Sequence, residues 1–232
     1  MKSLKTIAIT LCAALVVSCG MSNTGKGALI GAGGGAGLGA IIGAIAGNTA
    51  VGAAIGGAVG AGAGAIIGKK MDKAKKEAEA VQNAQVEAVT DANGLEAVKV
   101  TFDSGILFAT GSSTLSSTAK TSLFQFANVL KGNADCDVAV QGYTDNAGWK
   151  NSTAEQSQQK NLELSQQRAQ SVTNYLLSQG VSPTQIRSTM GFGESNPVAD
   201  NSTAAGKAQN RRVEVYMYAS QKMIQEAQQQ AQ

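Results

Sequence analysis

The sequence contains no histidine among its 232 residues. That absence excludes an imidazole base, an imidazole metal ligand and a Ser-His-Asp triad. A net charge of only +3 gives no broad basic field of the kind that attracts nucleic acid. Aromatic residues make up just 4% of the chain. Cysteine is scarce too, with Cys12, Cys19 and Cys136 as the three copies. The first two lie in or beside the leading segment, so the count describes no disulfide framework. Cys136 sits between Asp135 and Asp137, whose charges raise its pKa, and reads as an unreactive thiol. Charge itself is missing from residues 27–68, where the sequence is almost wholly Gly, Ala, Ile, Leu and Val.

What is present begins with an export signal. Lys2 and Lys5 open residues 1–18, and an apolar run follows that is shorter than a membrane span. The run ends Val16-Val17-Ser18-Cys19, which resembles the bacterial lipobox. The resemblance implies cleavage before Cys19, a lipid thioether on its sulfur and acylation of the new amino terminus. Residues 19–26 then form a lipidated tether. Several acyl chains at one residue, at about 0.8 kcal/mol per buried methylene, make a lasting anchor. Gly20, where an Asp would signal retention in the inner membrane, points to outer-membrane lipid as the partner, with the rest of the chain in the periplasm.

Residues 27–68 carry a four-residue glycine period in two arms. Gly31, Gly35, Gly39, Gly43 and Gly47 form the first, and Gly52, Gly56, Gly60, Gly64 and Gly68 the second, with Asn48-Thr49 between them. This spacing lines each set along one helical stripe, where a second helix can approach to backbone contact. The expectation is a glycine-zipper helical hairpin, able to bring copies of the chain together as a homo-oligomer; a flexible linker is the alternative. Matches to a relaxed dinucleotide fingerprint in this stretch carry no weight, because no strand precedes them.

Residues 69–94 turn abruptly to Lys, Ala, Glu and Gln. They read as a solvated helical spacer over 69–90, with Lys73–Glu77 and Lys75–Glu79 at i,i+4, closed by Ala92-Asn93-Gly94. From residue 95 to 219 the composition is that of a globular domain. Strand and helix periodicities alternate in the order β-α-β-α-β-β, an α/β sandwich of one sheet with helices on one face. The Gln-rich tail, 220–232, reads as ragged helix or disorder.

Within this domain five stretches occur in a fixed order: 102–108, Gly142-Tyr143-Thr144-Asp145-Asn146, 161–169, Gly191-Phe192-Gly193-Glu194-Ser195-Asn196-Pro197 and Asn210-Arg211-Arg212-Val213-Glu214. Together they resemble the OmpA-like peptidoglycan-binding domain. The resemblance implies a non-catalytic protein that holds the diaminopimelate side chain of the wall peptide and needs no cofactor or metal. It implies that Asp145 takes the ligand's ammonium and Arg168 its carboxylate, a planar fork suiting the latter. Asn161, Thr144 and Asn146 are expected to flank them. Of Arg211 and Arg212, one supports the site and the other faces solvent; Arg212 is taken as the site residue. Asp145 could instead be only a turn residue, and Arg168 only a solvated helix position. Asp145 and Arg168 are 23 residues apart, longer than in typical relatives by about two helical turns. Ser152-Thr153-Ala154-Glu155 offers a capping box that would start the helix early; otherwise the extra residues form a longer lip over the pocket. A wall hydrolase acting through paired carboxylates is the enzyme alternative, and a pore or membrane assembly built by the glycine hairpins a third.

Overall fold

The computed structural model describes residues 60–90 and 94–232. The element order is α1 (Ala61–Ala78), β1 (Ala84–Thr90), β2 (Glu96–Asp103), α2 (Ser104–Leu107), α3 (Ser117–Gly132), β3 (Cys136–Gly142), α4 (Ala154–Ser178), β4 (Ile186–Gly191), α5 (Ala204–Asn210), β5 (Arg212–Ala219) and α6 (Gln221–Gln230). One mixed sheet carries the strands in the order β1-β2-β5-β3-β4. β3 and β4 are parallel, joined by the α4 crossover, and the other neighbours are antiparallel. The expected β-α-β-α-β-β order is present from β2 to β5, with short helices added.

Alternation along the strands sorts the sheet's two faces. Val98, Val100 and Phe102 of β2, Val138 and Val140 of β3, and Val213, Val215 and Met217 of β5 share one core with Leu123, Phe126 and Leu130 of α3 and Val172 and Leu176 of α4. Ala97, Ala139, Tyr216 and Tyr218 cluster on the other face. Ser116 caps α3 by accepting from the Ala119 N–H.

The spacer differs from its expectation. Its helix begins inside the glycine-rich stretch and stops at Ala78, and Ala84–Thr90 is an edge strand paired with β2. Ala63, Ile67, Met71, Ala74 and Ala78 are buried in the main core, so α1 is docked against the domain. The i,i+4 pairs form as read, Lys73–Glu77 at 3.6 Å and Lys75–Glu79 at 3.2 Å. Lys70 and Glu77, however, also reach across to Asp135 and Asn133. The physical reason is the free edge of β2. Ala84, Val86 and Val89 are half-buried along β1, and Glu87 meets Lys99 across the ladder at 2.9 Å, so pairing satisfies backbone groups that a helix would leave beside an open sheet edge.

The Gln-rich tail is likewise a packed helix, α6, capped by Ser220 and burying Met223, Ile224 and Ala227 against α1 and the sheet. Its apolar residues at i, i+1 and i+4 make a narrow face that the abundance of Gln hides. The first glycine arm, and Gly52 and Gly56 of the second, lie outside the described residues. Of the glycines within them, Gly62 approaches Ala231 so closely that a Cβ would stand 3.0 Å from its side chain, while Gly60 and Gly64 face open space. No helix among the described residues is long and apolar enough to cross a membrane.

Candidate binding site

Two glycines let α4 lie directly on the sheet. A Cβ on Gly142 would stand 2.2 Å from the Ser165 carbonyl oxygen, and one on Gly191 would stand 2.2 Å from the Gln166 nitrogen. Only a residue without a side chain permits this approach. It sets α4 beside the loop that leaves β3. The Tyr143 N–H donates to the Arg212 carbonyl at 2.9 Å and the Thr144 N–H to the Gly193 carbonyl at 2.8 Å, fixing that loop between β5 and the segment after β4.

A cleft of about 860 Å³ opens where these pieces meet. Thr144 and Asp145 line it from the loop, Asn161, Leu164 and Arg168 from α4, Phe108 and Ala109 from the segment after α2, and Lys207 and Arg211 from the α5 end. Asn161, Leu164 and Arg168 follow i, i+3, i+7 spacing and therefore share one helical face. The expected early start of α4 is present, but the cap is shifted by one residue. Thr153 caps the helix and Gln156 completes the box, because Gln156 rather than Glu155 occupies the third helical position.

Asp145 is buried. Its Oδ1 accepts from the Ala147 N–H at 3.0 Å and its Oδ2 from Arg211 Nη1–H at 2.6 Å. Asn161 braces the loop behind it. Its amide donates to the Ala147 carbonyl at 3.2 Å and to the Asp145 carbonyl at 3.4 Å, and its Oδ1 accepts from Trp149 Nε1–H at 2.7 Å.

Arg168 is also buried, with its guanidinium 5.1 Å from the centre of the Phe108 ring. Its Nε–H donates to the Ser112 carbonyl at 3.0 Å. No carboxylate of the described residues forms an ion pair with it. Burial and the charge of Arg211 push its pKa down, and Asp145 opposes them, so its cation lacks a full countercharge in the folded chain. Two further polar groups stand on the same cleft: the hydroxyls of Ser104 and Thr144 are buried and have no hydrogen-bond partner among the described residues.

Asn146 is exposed and does not line the cleft. Arg212 does not line the cleft either. It lies behind the cleft, with Nε–H donating to Glu214 Oε1 at 2.7 Å and its guanidinium 3.9 Å from the Tyr143 ring centre. The cleft residue is Arg211. Strand parity carries the signal: Val213, Val215 and Met217 face the main core, so Arg212, Glu214 and Tyr216 must face the other way. Trp149, Lys150 and Lys207 also line the cleft and lie in none of the five stretches; Ser104, within 102–108, lines it too.

Residues 107–211 match the family model described as the OmpA family. The chain carries an OmpA family domain. Residues 1–72 match the YMGG-like Gly-zipper model. The chain is 47% identical to the probable lipoprotein YiaD of Escherichia coli over 116 residues, which are 50% of this chain and 46% of that protein. It is 43% identical to the peptidoglycan-binding protein ArfA of Mycobacterium tuberculosis over 93 residues, covering 40% of this chain and 26% of the relative. The chain thus spans less than half the length of these relatives. A MotB-like protein from Desulfovibrio vulgaris shares the fold of the OmpA domain, with a TM-score of 0.55 at 23% identity, covering 66% of this chain and 93% of that one.

Proposed function

We propose that the cleft of the OmpA domain binds the diaminopimelate side chain of the peptidoglycan wall peptide, and that the protein is a non-catalytic outer-membrane lipoprotein tethering membrane to wall. The observation that carries this reading is Arg168, a buried guanidinium on the cleft with no carboxylate of its own. A buried cation is costly without a partner, and a ligand carboxylate supplies one. Diaminopimelate ends in an ammonium and a carboxylate on one carbon. Arg168 takes the carboxylate through its fork, and Asp145 takes the ammonium. The relative named as peptidoglycan-binding supports peptidoglycan as the ligand class. Cys19 carries the lipid, and fixing the domain beside a repetitive polymer raises its effective concentration, so a modest affinity per site suffices.

Co-sedimentation of the full chain with purified sacculi tests the cleft. Asp145→Ala and Arg168→Ala each remove a charge-assisted hydrogen bond, worth about 1.5–3 kcal/mol, and weaken binding roughly ten- to a hundredfold. Arg168→Lys also fails, because an ammonium offers no planar fork. Circular dichroism checks that the variants fold. Wild-type binding by both folded alanine variants would refute the assignment. Failure of Cys19→Ser to lose a fatty-acid label would refute the lipid anchor.

A further inference from the structure

The cleft holds more positive charge than one zwitterion uses. Lys150, Arg168, Lys207 and Arg211 line it, and Asp145 is the acidic residue among its lining. Arg211 is matched by Asp145, and Arg168 by the ligand carboxylate in the reading above. Lys150 and Lys207 remain, and neither has an ion-pair partner among the described residues.

Beside Lys150 stands Trp149, the single tryptophan of the chain. It is half-buried on the rim and held at two points by α4. Its backbone N–H donates to Ser157 Oγ at 3.0 Å and its indole N–H to Asn161 Oδ1 at 2.7 Å. Lys160 Nζ lies 5.9 Å from the ring centre. Ser157 and Lys160 belong to the first turns of α4, the part by which the separation of Asp145 and Arg168 is lengthened. In the folded chain that extension holds an aromatic ring and a lysine at the mouth of the cleft.

We propose that Trp149 and Lys150 form a second subsite, resting on the wall-peptide reading above, which takes the peptide segment next to diaminopimelate. The ring packs on the segment's backbone and aliphatic carbons, a contact that loses little conformational freedom because the indole is already fixed. Lys150 meets a free carboxylate of the peptide. A neutral glycan has no use for Lys150 and Lys207, so the charge balance selects an anionic peptide over sugar. The ligand class is a wall peptide with free carboxylates, and amidation of those carboxylates weakens it.

Isothermal titration of the full chain in detergent micelles, with free diaminopimelate, the diaminopimelate tetrapeptide and its amidated form, tests this. The wild type binds the free-carboxylate tetrapeptide about tenfold more tightly than the free amino acid, as one added contact of ordinary strength would give. Trp149→Ala brings that ratio close to one, while Trp149→Phe, which keeps a ring, retains most of it. Lys150→Gln erases the distinction between the free and amidated peptides. Measurable but equal affinity of the wild type for tetrapeptide and amino acid would overturn the subsite and leave the zwitterion site standing. Binding of neither would refute both. A gain that arises only when the disaccharide is attached would give the rim to glycan and overturn the peptide assignment.

Discussion

Arg211 spans 66 residues of sequence to reach Asp145, its Nη1–H donating to Oδ2 at 2.6 Å, while its neighbour Arg212 turns to the opposite face of the sheet and pairs with Glu214. Adjacent arginines therefore have separate consequences. Arg211 is partly exposed but its partner Asp145 is buried, so Arg211→Ala weakens binding to sacculi and also costs some stability, less than the loss of a pair buried on both sides. Arg212→Ala leaves Glu214 charged and alone in a buried network with Tyr216, at a cost of about 3–5 kcal/mol. Thermal denaturation and co-sedimentation, run on both variants, separate the effects. A stability loss confined to Arg211→Ala would reverse the roles.

Gly142 is where the sheet and the site helix touch. A methyl group there meets the Ser165 backbone carbonyl, which cannot swing aside as a flexible side chain would. Gly142→Ala therefore costs about 1–3 kcal/mol of overpacking and moves α4 relative to the β3 loop. Because Asp145 rides on that loop and Arg168 on α4, sacculus binding falls further than stability alone explains. The check is binding measured at a temperature where the variant remains folded. Full binding there would show that the cleft tolerates a shift of the helix.

Most of the domain was legible because its signals are local. The strand alternation around Val213, Val215 and Met217 and the helical faces of α3 and α4 depend on neighbours three or four residues away. Asp145, Asn161, Thr144 and Arg168 were found through motifs, and all four line one cleft. What was not legible depends on the sheet edge and on partners far along the chain. Val86 and Val89 have strand character only once β2 offers a free edge. Met223, Ile224 and Ala227 are too few to mark a core helix in a Gln-rich stretch until α1 lies against them. Arg212 was taken for the site because a motif gives residue types and not faces. Counting strand parity from Val213 would have placed it behind the cleft.

Helices α1 and α6 close the described fold from its two ends. Met223 is fully buried, so Met223→Ala leaves a cavity and costs about 2–5 kcal/mol. Lys222→Ala removes only the exposed Lys222–Glu226 pair at 3.7 Å and changes stability by about 0–1 kcal/mol. Urea denaturation of the two variants provides the comparison. Equal midpoints would mean that the C-terminal helix is not part of the cooperative unit.

Cys136 is buried at the start of β3, and its thiol is pushed up to about 12 by burial first and by the charge of Asp135 second. The ordinary value is 9.0, so at pH 8 the folded chain holds roughly a thousandfold less thiolate than the unfolded chain. Iodoacetamide needs the thiolate. Alkylation in native buffer is therefore much slower than in urea, with steric exclusion adding to the effect. The same shift fixes the sign of a stability effect. Below pH 9 both states keep the proton and Cys136 contributes no pH dependence. As pH rises from about 9 towards 12 the unfolded state releases the proton first, binds fewer protons than the folded state, and gains stability relative to it. Unfolding free energy measured against pH falls across that window, and Cys136→Val, which keeps an apolar side chain of similar size, makes the fall shallower than in the wild type. Alkylation at equal rates in buffer and in urea, or identical alkaline profiles for the two proteins, would show that the thiol is reached by solvent in the folded domain.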